Sequence, residues 1–525
     1  MNRLITRSAS IFTALLLVGC ASHPPAPETR AVTILRTAHG VPHINAPDVE
    51  TLAYGVAYAH AQDNICQTAQ QLLTVRGERS RAFGGAASAL LGRRVLTNEQ
   101  IDLFIAAHMD DAALARSWAQ QASADSQAMA RGYVAGYNRY LADNGNSLPA
   151  ACRGQAWVQP MLLAHFYRLN EVGSVQAGIG ALADAMLAAQ PPAAKAATLP
   201  AINLAQAEQE ARDIGLVDPP LGSNAWAFGK DATGTGRGLL VGNPHFPWDG
   251  VNRFWQMHLT VPGRFDVMGA STGHSAVVHI GFNKDVAWSH TVSTGKRFTL
   301  HELTLVAGDP TSHVVDGQPE KMTSRTVGVM VRGADGLFTM KSQTVWFSRW
   351  GPVISAPRLG LGWTAERAYA LQDANAGNAR GQDTWLAFAS AKTVQELHQA
   401  HRNLGAPWVN TIAADRQGSA MYTDVSVVPD VDAAQLADKP LRVGLSMEAE
   451  VDVSKQDGKT LADAPNAAAL APAPAVAASE DAANADVRRV IAANDGKPKA
   501  ATKTTEKAAV KASALAVSSS VAQVH

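Results

Sequence analysis

The sequence predicts an α+β protein in which helices come first and strands follow. Three observations carry this. Residues 49–80 and 99–142 show helical spacing of apolar side chains, with Leu52, Val56, Tyr58 and Ala59 on one side and Leu72 and Leu73 further on. From Leu221 to about residue 350 the chain turns into short β-branched and aromatic runs punctuated by glycine, a spacing expected of stacked antiparallel sheets. Of the 525 residues 46% are hydrophobic and only 17% charged, enough to bury a large core. The 45 Lys and Arg balance the 45 Asp and Glu, which argues against nucleic acid as the main partner, since phosphate binding needs a net basic face.

Residues 1–19 read as an export signal. Arg3 and Arg7 precede the apolar run Ile11–Val18, which is too short to span a bilayer. The run ends in Leu17-Val18-Gly19-Cys20, which looks like a bacterial lipobox. On that reading Cys20 is lipidated and anchors a periplasmic protein to the membrane; the alternative is an ordinary secretory signal. Residues 20–30 form a Pro-rich tether. Export leaves Cys66 and Cys152 in an oxidising compartment, where an even pair favours one disulfide over two buried thiols. Neither cysteine has a second ligand at zinc spacing, and the 16 histidines show no H-E-x-x-H, so no metal and no cofactor is inferred.

Residues 31–180 read as a mainly helical region, opening on the strand Val32–Leu35 and a turn at Gly40–Ile44. Residues 181–222 are Ala-rich, with Gln190-Pro191-Pro192 inside, and read as an exposed, cleavable connector. Strands are expected at Ala225–Phe228, Gly238–Gly242, Phe254–Leu259, Ala276–Gly281, Val286–His290, Thr326–Val331 and Gln343–Phe347. Residues 383–402 return to helix, and Val409–Tyr422 reads as a hairpin that helps complete a domain spanning 223–448. Residues 449–525 read as a low-complexity, disordered tail. Positions 451–525 contain no Trp, Tyr, Phe, Met or Cys, and 23 of those 75 are Ala.

The junction Leu221-Gly222-Ser223-Asn224-Ala225-Trp226 is the most informative segment. A Ser that opens a β-run just after a connector can attack the carbonyl of the preceding Gly. Hydrolysis of the resulting ester frees the Ser α-amine, whose reference pKa near 8 suits it as a base for its own hydroxyl. Further on come Gly242-Asn243-Pro244-His245-Phe246-Pro247, Ile280-Gly281-Phe282-Asn283 and Ala287-Trp288-Ser289-His290-Thr291-Val292-Ser293. Upstream stand His39–Ile44, Tyr58–Asn64 and Arg76–Ser80; downstream stand Ala406–Asn410 and Ala414–Gly418. In this order the motifs closely resemble the penicillin acylase group of N-terminal nucleophile hydrolases, in its acyl-homoserine-lactone and aculeacin acylase branch. The resemblance covers roughly residues 32–430.

The resemblance implies a four-layer αββα fold, made as one chain and cut before Ser223 into a two-chain heterodimer. It places Ser223 as the nucleophile and Gly222–Ser223 as the autocleavage bond. His245, 22 positions on, falls where the family tunes the nucleophile's amine, and Val292, 69 positions on, where a backbone N–H forms half of the oxyanion hole. Phe246, Trp385, Trp408 and Val409 fall where the family lines an acyl-chain pocket. The implied reaction is hydrolysis of N-acyl amides with aliphatic chains, of the acyl-homoserine-lactone kind that quenches quorum signals. A β-lactam or cyclic lipopeptide acylase is the first alternative. One departure stands out. The family's second oxyanion donor, an Asn side chain followed by a Trp and a helical region, has no clean copy here. Asn494 is the only candidate, and the residues after about 450 read as truncated or replaced. An inactive, acyl-binding lipoprotein remnant is therefore the second alternative. Some relatives bind a structural calcium; Gly295-Lys296-Arg297 offers no carboxylate at that place, so calcium is not carried over.

Overall fold

The computed structural model describes residues 30–430, apart from 93, 193–203, 214–221, 249, 251, 294 and 296. Cys20 and Asn494, together with the expected signal, tether and tail, lie outside the described residues. Residues 30–36 and 41–430 fall within one unit.

The central element is an eight-stranded sheet. Its spatial order is Thr33–Arg36, Pro42–Asn45, Trp255–Val261, Phe265–Ser271, Ile280–Asn283, Val286–Val292, Val409–Asp415 and Ala420–Thr423. All neighbours are antiparallel except Pro42–Asn45 against Trp255–Val261. One face of the sheet is covered by helices. The long helix Val49–Arg76 begins where the Asp48 carboxylate accepts the Thr51 N–H at 2.7 Å, and it ends on left-handed Gly77. Helix Ala124–Asn144 packs against it at close range. A Cβ on Gly132 or Gly136 would sit 2.0 or 2.1 Å from the carbonyl oxygens of Glu50 or Tyr54, so only glycine permits the approach. Leu52, Val56, Tyr133, Trp288 and Phe388 are buried in the shared core. The Cys66–Cys152 disulfide forms, with the two Cα atoms 5.4 Å apart, and ties the long helix to the segment after Ala124–Asn144.

A second, seven-stranded sheet runs Gln318–Lys321, Asp309–Val315, Phe298–Val306, Arg367–Asp373, Gly351–Ile354, Phe338–Ser348 and Thr323–Arg332. Its core is separate and is closed by helices Asn98–His108 and Ala183–Ala188. The stacked sheets expected across 221–350 are therefore two sheets that each bury against helices. The strands alternate their side chains, so Trp288 and His290 face helix Gly381–Ser390 while Ser289 faces the opposite way. There lies a two-stranded ribbon, Ser223–Phe228 with Leu239–Pro244, paired from Ser223↔Pro244 to Phe228↔Leu239. Its outward face shows Trp226, Phe228, Leu239 and Val241, all exposed.

Three expectations need correcting. The turn expected at Gly40–Ile44 gives way at Pro42 to the strand Pro42–Asn45, which pairs with Thr33–Arg36 and Trp255–Val261. The connector was expected to start at residue 181, but Ala181–Ala189 is a buried helical segment, with Ala183 and Met186 fully enclosed. Small and flexible side chains let it wedge against the seven-stranded sheet, so an Ala-rich composition here marks close packing. Ala276–Gly281 was expected as one strand, yet the strand begins only at Ile280. Before it, the Ser271 hydroxyl donates to the Val277 carbonyl and accepts the His279 N–H at 3.1 Å, a donor it shares with the Ala270 carbonyl, and the segment 276–278 is held by these bonds outside any strand.

Candidate active site

Ser223 opens its strand with its hydroxyl donating to the Gly222 carbonyl at 2.7 Å. The same oxygen accepts the backbone N–H of His245 at 3.2 Å, because the ribbon register sets Ser223 opposite Pro244. The His245 ring is exposed, and its Nε2 pairs with the Asn243 amide at 2.9 Å. His245 thus meets the Ser223 hydroxyl through its main chain rather than its ring. The ribbon lies directly on the Val286–Val292 strand: a Cβ on Gly242 would come within 3.0 Å of Ser289 Oγ.

Beside this ribbon a cavity of about 210 Å³ opens. Phe246, Trp385, Trp408 and Val409 all line it, and so does Val292. The structure therefore brings together, in one cavity, four residues expected to hold a chain and one expected to offer a backbone donor. No Asp, Glu, Lys or Arg lines it among the described residues. Its wall is largely aliphatic and aromatic, with amides from Asn170, Asn378 and Gln382 and imidazoles from His274, His279 and His290.

The wall residues are held individually. Trp385 Nε1 donates to His290 Nε2 at 3.0 Å, which leaves Nδ1 to carry the His290 proton toward the Asn410 carbonyl at 3.1 Å. Burial pushes the His290 pKa down to about 4, in keeping with a neutral ring. Trp408 sits in the left-handed region at φ 40°, where a bulky residue is strained, and its Nε1 donates to the Gly173 carbonyl at 3.3 Å. Its own carbonyl accepts the Ser293 N–H at 3.0 Å, so the strained residue is clamped beside the Val292 strand end.

Asn410 is a site residue that sequence reasoning quoted without a role. Its Nδ2 donates to Thr291 Oγ1 at 2.8 Å and to the Val292 carbonyl at 3.2 Å, and its Oδ1 accepts the Tyr422 hydroxyl at 3.0 Å. It anchors the Thr291 side chain and the Val292 carbonyl at the end of that strand. His290 was likewise quoted only within a motif. The signal for both is register: Thr291 pairs with Asn410 and Val292 with Val409 across neighbouring strands, a pairing that no single segment reveals.

Among the described residues, no group of three His, Cys, Asp or Glu side chains is arranged to hold a metal ion, and no helix is long and apolar enough to cross a membrane.

The chain is 43% identical over 411 residues to an aculeacin-A acylase of Actinoplanes utahensis, covering 78% of this chain and 51% of that protein. It is 42% identical over 416 residues to an acyl-homoserine lactone acylase, PvdQ, of Pseudomonas fluorescens, covering 78% and 52%. A penicillin acylase 2 proenzyme of a Pseudomonas species is 26% identical over 438 residues, covering 76% and 52%. The chain spans about half the length of these curated relatives. Residues 31–496 match the penicillin amidase family across nearly the whole chain, so the chain belongs to the penicillin amidase family.

Proposed function

We propose that the protein hydrolyses N-acyl amides carrying an aliphatic acyl chain, of the acyl-homoserine-lactone type, with Ser223 as an N-terminal nucleophile. The carrying observation is the uncharged, largely apolar cavity that gathers Phe246, Trp385, Trp408 and Val409 next to Val292. The names of the two relatives at about 42% identity support an acyl amide substrate.

Maturation comes first. The Ser223 hydroxyl already lies against the Gly222 carbonyl; its attack there gives an ester between Gly222 and Ser223 Oγ, and water cleaves that ester. The freed α-amine then takes the proton of the Ser223 hydroxyl as it attacks a substrate carbonyl. The amine leaves protonated, an acyl-enzyme forms on Ser223, and a water molecule releases the acid. The His245 N–H, bonded to the Ser223 oxygen, orients the nucleophile. The Val292 backbone N–H is the proposed donor to the tetrahedral oxyanion, a contribution of roughly 3 kcal/mol for one donor. Asn494 is the only candidate for the second donor.

The proposed reaction uses only the chain's own groups and water. The expected two-chain product, the export signal and a lipid on Cys20 belong to the same proposal, and a periplasmic location suits the Cys66–Cys152 disulfide. The match to an aculeacin-A acylase favours a second reading, in which the same acyl pocket serves a larger head group. Release of fatty acid from an N-acyl-homoserine lactone by purified protein, and its loss in Ser223→Ala, tests the first reading. No release from any N-acyl amide favours the inactive remnant.

A further inference from the structure

His274 lies in the turn after the Phe265–Ser271 strand and lines the acyl cavity. Both of its ring nitrogens are buried, and neither has a hydrogen-bond partner among the described residues. A buried polar group left so is costly, and it calls for a ligand or solvent atom that pairs with it. Behind His274 the wall is not apolar. Gly273 and His274 also border a second, small cavity of about 10 Å³, room for one water-sized atom. His60, Asn64, Gln67, Arg253 and Trp255 close it. The His60 ring meets the His274 ring edge-on at 5.7 Å, and Arg253 donates to the Asn64 side-chain oxygen. Of these, His60 and Asn64 come from the Tyr58–Asn64 motif, to which the proposed reaction gives no other task.

We propose that His274 forms an oxygen-recognising notch in the wall of the acyl pocket, so that the protein prefers acyl chains bearing a hydroxyl or keto oxygen over plain alkyl chains. The proposal rests on the reading of the large cavity as the acyl pocket. Burial holds His60 near pKa 4 and His274 near 3, so both rings are neutral at pH 7 and each offers one donor and one acceptor. Such a ring can donate to a keto oxygen or accept from a hydroxyl. The small cavity beside His274 has room for about one oxygen-sized atom, which limits the proposed notch to a hydroxyl or keto oxygen. The remaining uncharged wall accepts the methylenes on either side.

The test is calorimetric titration of the full-length protein with decanoic acid and with hydroxydecanoic acids substituted at successive carbons. At least one hydroxy isomer binds roughly fivefold to tenfold more tightly than decanoic acid, the worth of one neutral hydrogen bond. His274→Phe keeps a ring at this place; it abolishes that preference, read as the ratio of hydroxy-acid to decanoic acid affinity within the variant. His274→Gln retains part of the preference, and it decides the matter if His274→Phe fails to fold. Equal binding of all the acids, or a preference that survives both substitutions, overturns the notch. No binding of decanoic acid or any isomer overturns the acyl-pocket reading itself, and the notch with it.

Discussion

Replacing His290 with Gln separates the hydrogen bonds of this residue from its proton. His290 is 6% exposed, accepts the Trp385 indole N–H, and donates to the Asn410 carbonyl. A Gln carbonyl can accept the same indole N–H and its amide can donate onward, but it does not titrate. Burial lowers the folded pKa of His290 from 6.5 to about 4. A depressed histidine pKa means that the unfolded chain binds the proton more readily. The stability held by the neutral ring is therefore complete above pH 6.5 and is lost as pH falls toward 4. At pH 5 the loss amounts to about 2 kcal/mol, a large share of a typical folding free energy. His290→Gln removes this loss. Urea unfolding of both proteins at pH 7.5 and pH 5 isolates it, because a fixed cost of imperfect Gln packing cancels between the two conditions. The variant should gain about 2 kcal/mol relative to wild type on going from pH 7.5 to pH 5. A gain below about 0.5 kcal/mol refutes the assignment of His290 as a buried neutral ring.

Cys152→Ser should destabilise the protein by about 4 kcal/mol, since the bridge closes a loop with a sequence separation of 86; thiol titration of denatured, unreduced wild type should find neither Cys66 nor Cys152 free. Asn410→Ala should lower kcat roughly tenfold with little change in KM, because it releases the Val292 carbonyl rather than the pocket wall; an equal rise in KM would show that Asn410 acts on binding instead. Asn494→Ala tests the only candidate for the second oxyanion donor: a loss of 10²- to 10³-fold in turnover gives it that role, and unchanged turnover removes it.

Local signals in the sequence reached further than long-range ones. The helical spacing of apolar residues across 49–80 announced the helix Val49–Arg76, although that helix is buried on nearly every side rather than along one stripe, and Gly-bounded apolar runs announced the Ser223 ribbon and the Val286–Val292 strand. Strand Phe298–Val306, which pairs with Arg367–Asp373, was not legible, because His301 and Glu302 interrupt the apolar pattern. Their polar groups are met across the pairing: His301 bonds Gln372 at 2.8 Å and the Glu302 carboxylate accepts the Tyr369 hydroxyl at 3.2 Å. The Ala-rich segment at 181–189 misled for a related reason, since small residues serve close packing as well as exposed linkers. At the site, motif order pointed to Ser223, His245, Val292 and the four pocket residues. The positions of His290, Asn410 and His274 depend on strand register and on a turn shaped by side-chain bonds, neither of which shows in residue spacing.

The central claim is that the Ser223 hydroxyl cuts the bond before it and that the new N-terminus is the nucleophile. N-terminal sequencing of the protein, purified in the absence of added protease, tests this most directly when wild type and Ser223→Ala are run side by side. The account predicts two fragments from wild type, one of them beginning Ser-Asn-Ala-Trp, and a single uncut chain from Ser223→Ala. Cleavage of Ser223→Ala at the same bond, or a wild-type chain that stays whole, would contradict it.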